Sequence, residues 1–228
     1  MGLRDLRGAF NRLQQDAIVY SYVVRSICLE DGQFRQCGSA PNFAGDLITL
    51  CTCKHRMRTY KAQEDWVRGG FWIAGFTSST REFDHKNWLV YLMQVGEAYS
   101  SHHDLAAALR RSGRERILKA KAAHLNPRGD IFVPKPSVGR NYYDPAHYYP
   151  PIPEHSHAGG HPPGWFKDIY YPSRESPRAQ LLVGDNDQSY VWTRPMIVRS
   201  APKVLPIGNP KSLLWELVVN LETGRDSK

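Results

Sequence analysis

Hydrophobic and polar positions in the first hundred residues follow first a helical and then a strand-like pattern. Apolar side chains at positions 3, 6, 10 and 13 recur at helical spacing and predict a short amphipathic helix over residues 3–15. The apolar runs that follow are rich in β-branched and aromatic residues and predict four strands, at 17–25, 47–53, 71–76 and 88–95. Residues 29–46 contain Gly, Asn, Pro and Asp and are interpreted as a loop. Because no strong helix separates the last three strands, the pattern favours an antiparallel sheet or small barrel over a doubly wound fold.

The second half of the chain combines helices with a long proline-rich segment. Ser101 and Asp104 resemble a capping box, which predicts a helix ending at Gly113, and a second helix is predicted at 115–124. Residues 127–178 interleave many prolines with tyrosines and tryptophans, which predicts a long, partly ordered loop packed over the sheet, where binding functions often lie. Further elements are predicted after it: strands at 180–183, 189–193 and 196–199, and a C-terminal helix over about 210–222 with Pro210 at its first position. The predicted fold class is α+β. We expect a single domain over 1–228, with a core at about 17–199. The expected architecture is a small, strongly bent antiparallel barrel or sheet with flanking helices and a long Pro/Tyr-rich loop.

The charge balance of the 228 residues points to an anionic partner. Thirty Lys and Arg residues against 22 Asp and Glu residues give a net charge of +8. Such a surface attracts polyanions and favours nucleic acid or a nucleotide as partner, although a basic protein without such a partner is the alternative. The chain has no apolar run of about 18 residues and no apolar segment near its first residue, so neither a membrane span nor a secretory signal is expected. Four cysteines in a chain of this length are typical of reduced thiols, and we expect a cytoplasmic protein.

Familiar catalytic signatures are absent from the sequence. It contains no P-loop, no G-x-G-x-x-G after a strand, no G-x-S-x-G and no H-E-x-x-H. Four histidines in the proline-rich segment, His147, His155, His157 and His161, could bind a transition metal. Because the pattern fixes no acidic partner beside them, we interpret them as part of a solvated loop and expect neither a metal nor a cofactor.

The strongest basic cluster follows two cysteines. If the strand at 47–53 continues, Lys54, Arg56 and Arg58 share one face and are suited to phosphate, whereas the alternative is a solvated edge strand protected against aggregation. Cys51 and Cys53 then share a face as well, which favours buried structural thiols. An exposed Cys53 would have a lowered pKa beside these cations and could act as a nucleophile.

Several blocks of the sequence, taken in order, resemble a known family. The first blocks are Tyr22-Val23-Val24-Arg25, Ser39-Ala40-Pro41-Asn42-Phe43, residues 47–58 and Asp65-Trp66-Val67. Two later blocks are Gly139-Arg140-Asn141-Tyr142-Tyr143 and Leu181-Leu182-Val183-Gly184-Asp185. Together they resemble nucleotide modification associated domain 2 over about residues 17–195. A looser resemblance, based on the strand pattern around residues 65–95, is to PUA-like and EVE-like barrels, which bind RNA or flipped modified bases.

The resemblance implies a context of nucleotide modification in phage or bacterial defence rather than a particular reaction. As a DNA-binding or nucleotide-binding module, the protein would hold phosphate with Arg25, Lys54, Arg56 and Arg58. Trp66 or Tyr142 would stack on a flipped or single-stranded base, although Trp66 could equally be a core residue. The polar edge of the base would be read by Asn42, Asn141 or Asp185.

Two alternatives remain open beside binding. As an enzyme that installs, removes or processes a modified base or its nucleotide precursor, the protein would use Cys53, Asp65, Asp185 or one of the loop histidines. As a subunit of a modification or defence system, it would contact other proteins through its Pro- and Tyr-rich segment.

Overall fold

The computed structural model describes residues 1–10, 16–136, 139, 141–199 and 212–224. Within these ranges the strands are β1 (Ile18–Val23), β2 (Ile27–Glu30), β3 (Gln33–Gln36), β4 (Thr49–Leu50), β5 (Trp72–Phe76), β6 (Leu89–Tyr99), β7 (Leu181–Val191), β8 (Ile197–Arg199), β9 (Ser212–Leu213) and β10 (Leu221–Thr223). The α-helices are α1 (Leu3–Phe10), α2 (His55–Arg58), α3 (Gln63–Arg68), α4 (His102–Arg111), α5 (Glu115–Lys121), α6 (Phe166–Ile169) and α7 (Leu214–Val219). None of the helices in the described ranges is long and apolar enough to cross a membrane.

The chain divides into two compact units, which are described separately. The first unit comprises residues 1–35, 69–95 and 187–228, and the second comprises residues 36–68 and 96–186. The long strands β6 and β7 run through both units. The prediction of one domain over 1–228 stays a prediction.

The first unit is built on a mixed sheet. Its strands follow the order β7-β6-β5-β1-β9, and β5 pairs antiparallel with β6 but parallel with β1. The parallel pair is possible because the chain between β1 and β5 is long enough for a crossover. Apart from Ser21, the buried side chains of β1 and β5 are hydrophobic on both faces, as expected of central strands. Phe10 of α1 packs edge-on against Trp72, with ring centroids 5.2 Å apart.

Several sequence predictions for the first unit need correction. Residues 29–46 were expected to form a loop, but β2 and β3 form a two-stranded sheet across Asp31 and Gly32, whose φ angles of 50° and 69° suit a tight hairpin turn. The strands of the described residues form one mixed six-stranded sheet and two two-stranded sheets, with no closed antiparallel barrel, while the α+β class is confirmed. The expected helix over about 210–222 is the shorter α7, because β9 pairs with β1 before it and β10 pairs with β8 after it. Residues 11–15, 210 and 211, within predicted helices, lie outside the described ranges.

The second unit contains helices, the strand order β4-β7-β6 and most of the proline-rich segment. Helix α4 begins as predicted, with the Ser101 hydroxyl accepting a hydrogen bond from the Asp104 N–H. One apolar cluster packs α4 and α5 against strand residues and includes Leu105, Leu109 and Leu118. The predicted strand at 47–53 is limited to the two residues of β4, because the chain then bends into α2.

A second apolar cluster orders the proline-rich segment and positions the site described below. It consists of Ala123, Phe132, Tyr148, Trp165 and Ile169. The rings of Phe132 and Trp165 stack with centroids 5.2 Å apart. Because Trp165 directly precedes α6 and Ile169 is its last residue, their burial fixes that short helix and the carboxylate that it carries.

Candidate functional site

One buried carboxylate joins two histidines in the second unit. Asp168, on α6, is 4% exposed. Its Oδ1 lies 2.6 Å from Nε2 of His55, and its Oδ2 lies 2.7 Å from Nδ1 of His157. These short distances are those of charge-assisted hydrogen bonds in which the imidazoles donate and the carboxylate accepts. The three side chains form the His55–Asp168–His157 cluster.

The two histidines of the cluster come from different segments. His55 is the first residue of α2, directly after Lys54, whose φ of 57° is left-handed and turns the chain into the helix. The His55 ring stacks on Tyr171 with centroids 4.9 Å apart. His157 lies in the proline-rich segment, where its carbonyl oxygen accepts from the Trp165 N–H. The side chains of His55 and His157 are 20% and 30% exposed, so part of each ring reaches solvent.

Two further histidines are buried and support the cluster. His102 accepts from the Phe132 N–H at Nδ1 and lies with Nε2 3.3 Å from the backbone oxygen of Asp168. His155 lies with Nε2 3.0 Å from the Gly129 carbonyl oxygen and accepts at Nδ1 from the N–H of His157. Each ring therefore has one acceptor and one donor nitrogen, which is the pattern of neutral imidazole protonated at Nε2. Burial lowers the pKa of His102 to about 3 and also lowers that of His155, which keeps both rings neutral.

The electrostatics of the cluster distinguish its two histidines. Burial alone would raise the pKa of Asp168, but the hydrogen bonds from His157 and His55 outweigh burial and lower it to about 2. The hydrogen bond to Asp168 raises the pKa of His157. Burial lowers the pKa of His55, and its hydrogen bond to Asp168 offsets only part of that effect. Near neutral pH the cluster thus holds a carboxylate anion, and His157 binds a proton more readily than His55.

The basic residues predicted to share a strand face do not do so. Residues 55–58 are helical, so Lys54 and Arg56 are exposed while Arg58 is fully buried. The Arg58 guanidinium donates to the carbonyl oxygens of Cys53, Gln180 and Thr52 at 2.7–2.9 Å. Arg58 therefore fixes the backbone before and beside α2 and does not present its fork to a phosphate.

Two predicted base-contacting residues are also structural. Trp66 is 0% exposed, and its indole N–H points to the Arg58 carbonyl oxygen, so its ring faces are covered by protein. Asn42 is 2% exposed and accepts from the buried ammonium of Lys121 through its backbone oxygen and Oδ1, both at 2.9 Å. Its Nδ2 donates to the Arg128 carbonyl oxygen. The amide of Asn42 thus has its partners within the protein.

The remaining predicted binding residues lie at or near the surface. Tyr142 is half-buried and stacks on His103, with centroids 3.8 Å apart and the rings 6° from parallel. Asn141 is exposed and accepts from the Tyr143 N–H. Arg25 is exposed in the first unit, whereas the other predicted ligand-binding residues belong to the second. Arg140, in the same block as Asn141, lies outside the described residues.

Of the three predicted catalytic candidates, Asp65 is exposed, and Cys53 and Asp185 are half-buried. Burial and the nearby charge of Asp168 raise the pKa of the Cys53 thiol, which disfavours the nucleophilic thiolate. Asp65 is exposed on α3. Asp185 is half-buried on β7, where its backbone passes so close to Gly96 that a Cβ there would lie 2.8 Å from the Asp185 Cα.

The solvated-loop interpretation of the histidines was wrong for His155 and His157. His155 is buried, and His157 is bound to a carboxylate that the sequence analysis did not single out. The sequence feature that indicates a carboxylate partner for His157 is Asp168, which lies eleven residues later in an aromatic stretch. His161 is exposed, as predicted, and His147 is bound through Nδ1 to the Asn141 carbonyl oxygen. Within the described ranges no group of three or more His, Cys, Asp and Glu side chains is arranged to hold a metal ion.

The class of site is thus a carboxylate-bridged histidine pair on an α+β scaffold. Residues 16–108 match the family model described as nucleotide modification associated domain 2, so the resemblance predicted from the sequence is confirmed over that part of the chain. The matched part contains His55 and His102, whereas His157 and Asp168 lie beyond it. Comparison with curated proteins and with solved structures gives no match. The family match associates the protein with nucleotide modification.

Proposed function

We propose that this protein is an enzyme that processes a modified base or nucleotide by acid–base chemistry at the His55–Asp168–His157 cluster. The observation that carries the proposal is the buried Asp168 carboxylate with one partly exposed imidazole on each oxygen. A carboxylate that orients an imidazole and stabilises its protonated form is the arrangement that makes histidine an effective general base or acid. Structural histidines such as His102 are, in contrast, fully covered.

The surroundings of the cluster suit an anionic substrate. Lys54 and Arg56 flank His55 in the sequence and are exposed. Two exposed cations beside a reactive imidazole attract phosphate groups, which agrees with the overall net charge of +8. The family match supplies the context of nucleotide modification, and a role in a phage-defence system is part of the proposal.

The test is turnover by the purified protein and by two matched variants. The wild type is incubated with canonical and modified deoxynucleotides and with DNA containing modified bases, and products are identified by mass spectrometry. Asp168→Asn keeps the side-chain shape but removes the charge, and should lower turnover by about 100-fold or more. Asp65→Asn removes an exposed carboxylate on α3 and should leave turnover unchanged. Equal turnover by wild type and Asp168→Asn would contradict the enzyme proposal.

A binding module is the second candidate, favoured by the exposed cations Lys54 and Arg56. It predicts a nucleotide or nucleic acid that copurifies in native mass spectrometry, with an affinity that falls as salt is raised. It also predicts that Asp168→Asn binds as the wild type does and that no substrate is turned over. Those results together would replace the enzyme proposal with the binding one.

A further inference from the structure

The two histidines of the cluster contact Asp168 through opposite ring nitrogens. His55 donates from Nε2, so Nδ1 is its second nitrogen, whereas His157 donates from Nδ1, so Nε2 is its second nitrogen. No hydrogen-bond partner for either second nitrogen occurs among the described residues, and neither atom is among the fully buried polar atoms that lack a partner. Each ring therefore has one nitrogen that is not used in the contact with Asp168.

The environment of each ring determines which second nitrogen carries a proton. The charged or titratable groups that act on the two rings are Arg58, Asp168 and the neighbouring imidazoles of His102 and His155. The Arg58 cation disfavours a second positive charge on His55, whereas the Asp168 anion has the largest effect on His157. The raised pKa of His157 and the lowered pKa of His55 therefore favour His157 as the ring with a proton on its second nitrogen, and His55 as the ring with a lone pair at Nδ1.

We propose that His55 Nδ1 is the general base and His157 Nε2–H the general acid for hydrolysis of a nucleotide phosphate ester. This inference rests on the proposed function and names its substrate class and the role of each catalytic residue. A phosphate ester fits because its anion matches Lys54 and Arg56, and because its hydrolysis needs one group to take a proton and another to give one.

The proposed step balances without a further reactant beyond water. A water oxygen forms a bond to phosphorus while its proton moves to Nδ1 of His55. The bond between phosphorus and the leaving oxygen breaks, and that oxygen takes the proton from Nε2 of His157. The products are an alcohol and a phosphate with one ester bond fewer, and the two imidazoles return to their starting states by exchanging protons with solvent. Asp168 stays ionised and holds both rings throughout.

Two variants preserve the hydrogen bonds to Asp168 while removing the reactive nitrogens. In His55→Gln the amide nitrogen occupies the place of Nε2, and in His157→Asn it occupies the place of Nδ1, so both can still donate to the carboxylate. His147→Asn serves as the control, because its ring is bound to the Asn141 carbonyl oxygen outside the cluster. Thermal unfolding of all variants establishes that they are folded.

The experiment compares two thymidine phosphodiesters whose leaving groups differ in their need for an acid. Thymidylyl-thymidine has an alkoxide leaving group that must be protonated, whereas the 4-nitrophenyl ester of thymidine 5′-phosphate has a leaving group that departs as an anion. His157→Asn should lose about 100-fold or more on the dinucleotide and less than about 10-fold on the nitrophenyl ester. His55→Gln should lose about 100-fold or more on both esters, and His147→Asn should match the wild type.

The outcomes separate this inference from the proposed function. Equal losses by His157→Asn on both esters, or a selective loss by His55→Gln, would overturn the assigned roles. Failure of the wild type to hydrolyse either ester would overturn the substrate class. The proposed function fails on separate findings: turnover of base and nucleotide substrates that Asp168→Asn leaves unchanged, or nucleotide binding without turnover of any substrate.

Discussion

The buried neutral His102 should make the protein lose stability in mild acid. Its pKa is about 3 in the folded protein against an ordinary value of 6.5, so the unfolded chain binds the proton more tightly. Because the folded pKa is depressed, the contribution of His102 to stability is present above pH 6.5 and is lost as the pH falls toward 3. The folded and ordinary pKa values differ by about 3.5 units, and each unit corresponds to about 1.4 kcal/mol. The free energy of unfolding should therefore fall by about 5 kcal/mol once the pH is below the folded pKa. By pH 4.5 the expected loss is about 2.5 kcal/mol relative to pH 7.

The assay is urea unfolding followed by tryptophan fluorescence at pH 7 and pH 4.5. His102→Gln retains an amide donor for the Asp168 carbonyl oxygen but leaves the Phe132 N–H without its acceptor, which should cost about 1–3 kcal/mol at pH 7. Between pH 7 and pH 4.5 the variant should lose about 2.5 kcal/mol less than the wild type. The lowered pKa values of His55 and His155 also make stability depend on pH. Because this contribution is the same in the wild type and in His102→Gln, it cancels when the two proteins are compared.

A core variant separates the titration of His102 from a general loss of stability. Ile131→Val, next to Phe132, should cost about 1 kcal/mol at both pH values, with the pH dependence of the wild type. If His102→Gln and the wild type lose the same free energy of unfolding between pH 7 and pH 4.5, then His102 is not the neutral buried group inferred from its hydrogen bonds.

Two further predictions concern residues that the sequence suggested for other roles. Asn42→Ala removes the Oδ1 acceptor of the buried Lys121 ammonium, so the free energy of unfolding should fall by about 1.5–3 kcal/mol. Nucleotide affinity should stay unchanged in the folded protein, and a selective loss of affinity without loss of stability would restore Asn42 as a ligand contact. The raised pKa of Cys53 predicts slow alkylation by iodoacetamide at pH 8, with the exposed Cys37 modified first in a mass-spectrometric time course. Alkylation of Cys53 as fast as that of Cys37 would instead support the nucleophile interpretation.

Local patterns predicted those parts of the fold that local forces determine. The β-branched and aromatic runs at β1, β5 and β6, and the Ser101 cap of α4, depend on residues close together in the sequence, and all are present. The parallel pairing of β1 with β5 depends on a crossover whose return direction no local pattern specifies. The Asp31-Gly32 turn was a readable hairpin signal that the loop interpretation overlooked.

Charge and residue type alone did not distinguish structural from chemical residues at the candidate site. Arg58 and Lys54 are both cations in one basic run, but the helical turn of α2 buries the first and exposes the second. The buried Arg58 guanidinium donates hydrogen bonds to three carbonyl oxygens. The strand pattern predicted from the sequence would not suggest this structural role for Arg58. Predicting which of these two cations is exposed thus required the backbone path and not only the composition.

The cluster itself depends on a contact between segments 113 residues apart, from His55 to Asp168. Neither residue has a distinctive local pattern, since His55 follows two cysteines and a lysine, and Asp168 lies among aromatic residues. What brings them together is the burial of Trp165 and Ile169, which anchors α6 in an otherwise proline-rich stretch. The density of aromatics among those prolines was the signal that the segment is ordered, and an ordered segment can hold a carboxylate against two imidazoles. His157 of this segment therefore has a carboxylate partner whose position is fixed by the surrounding apolar packing.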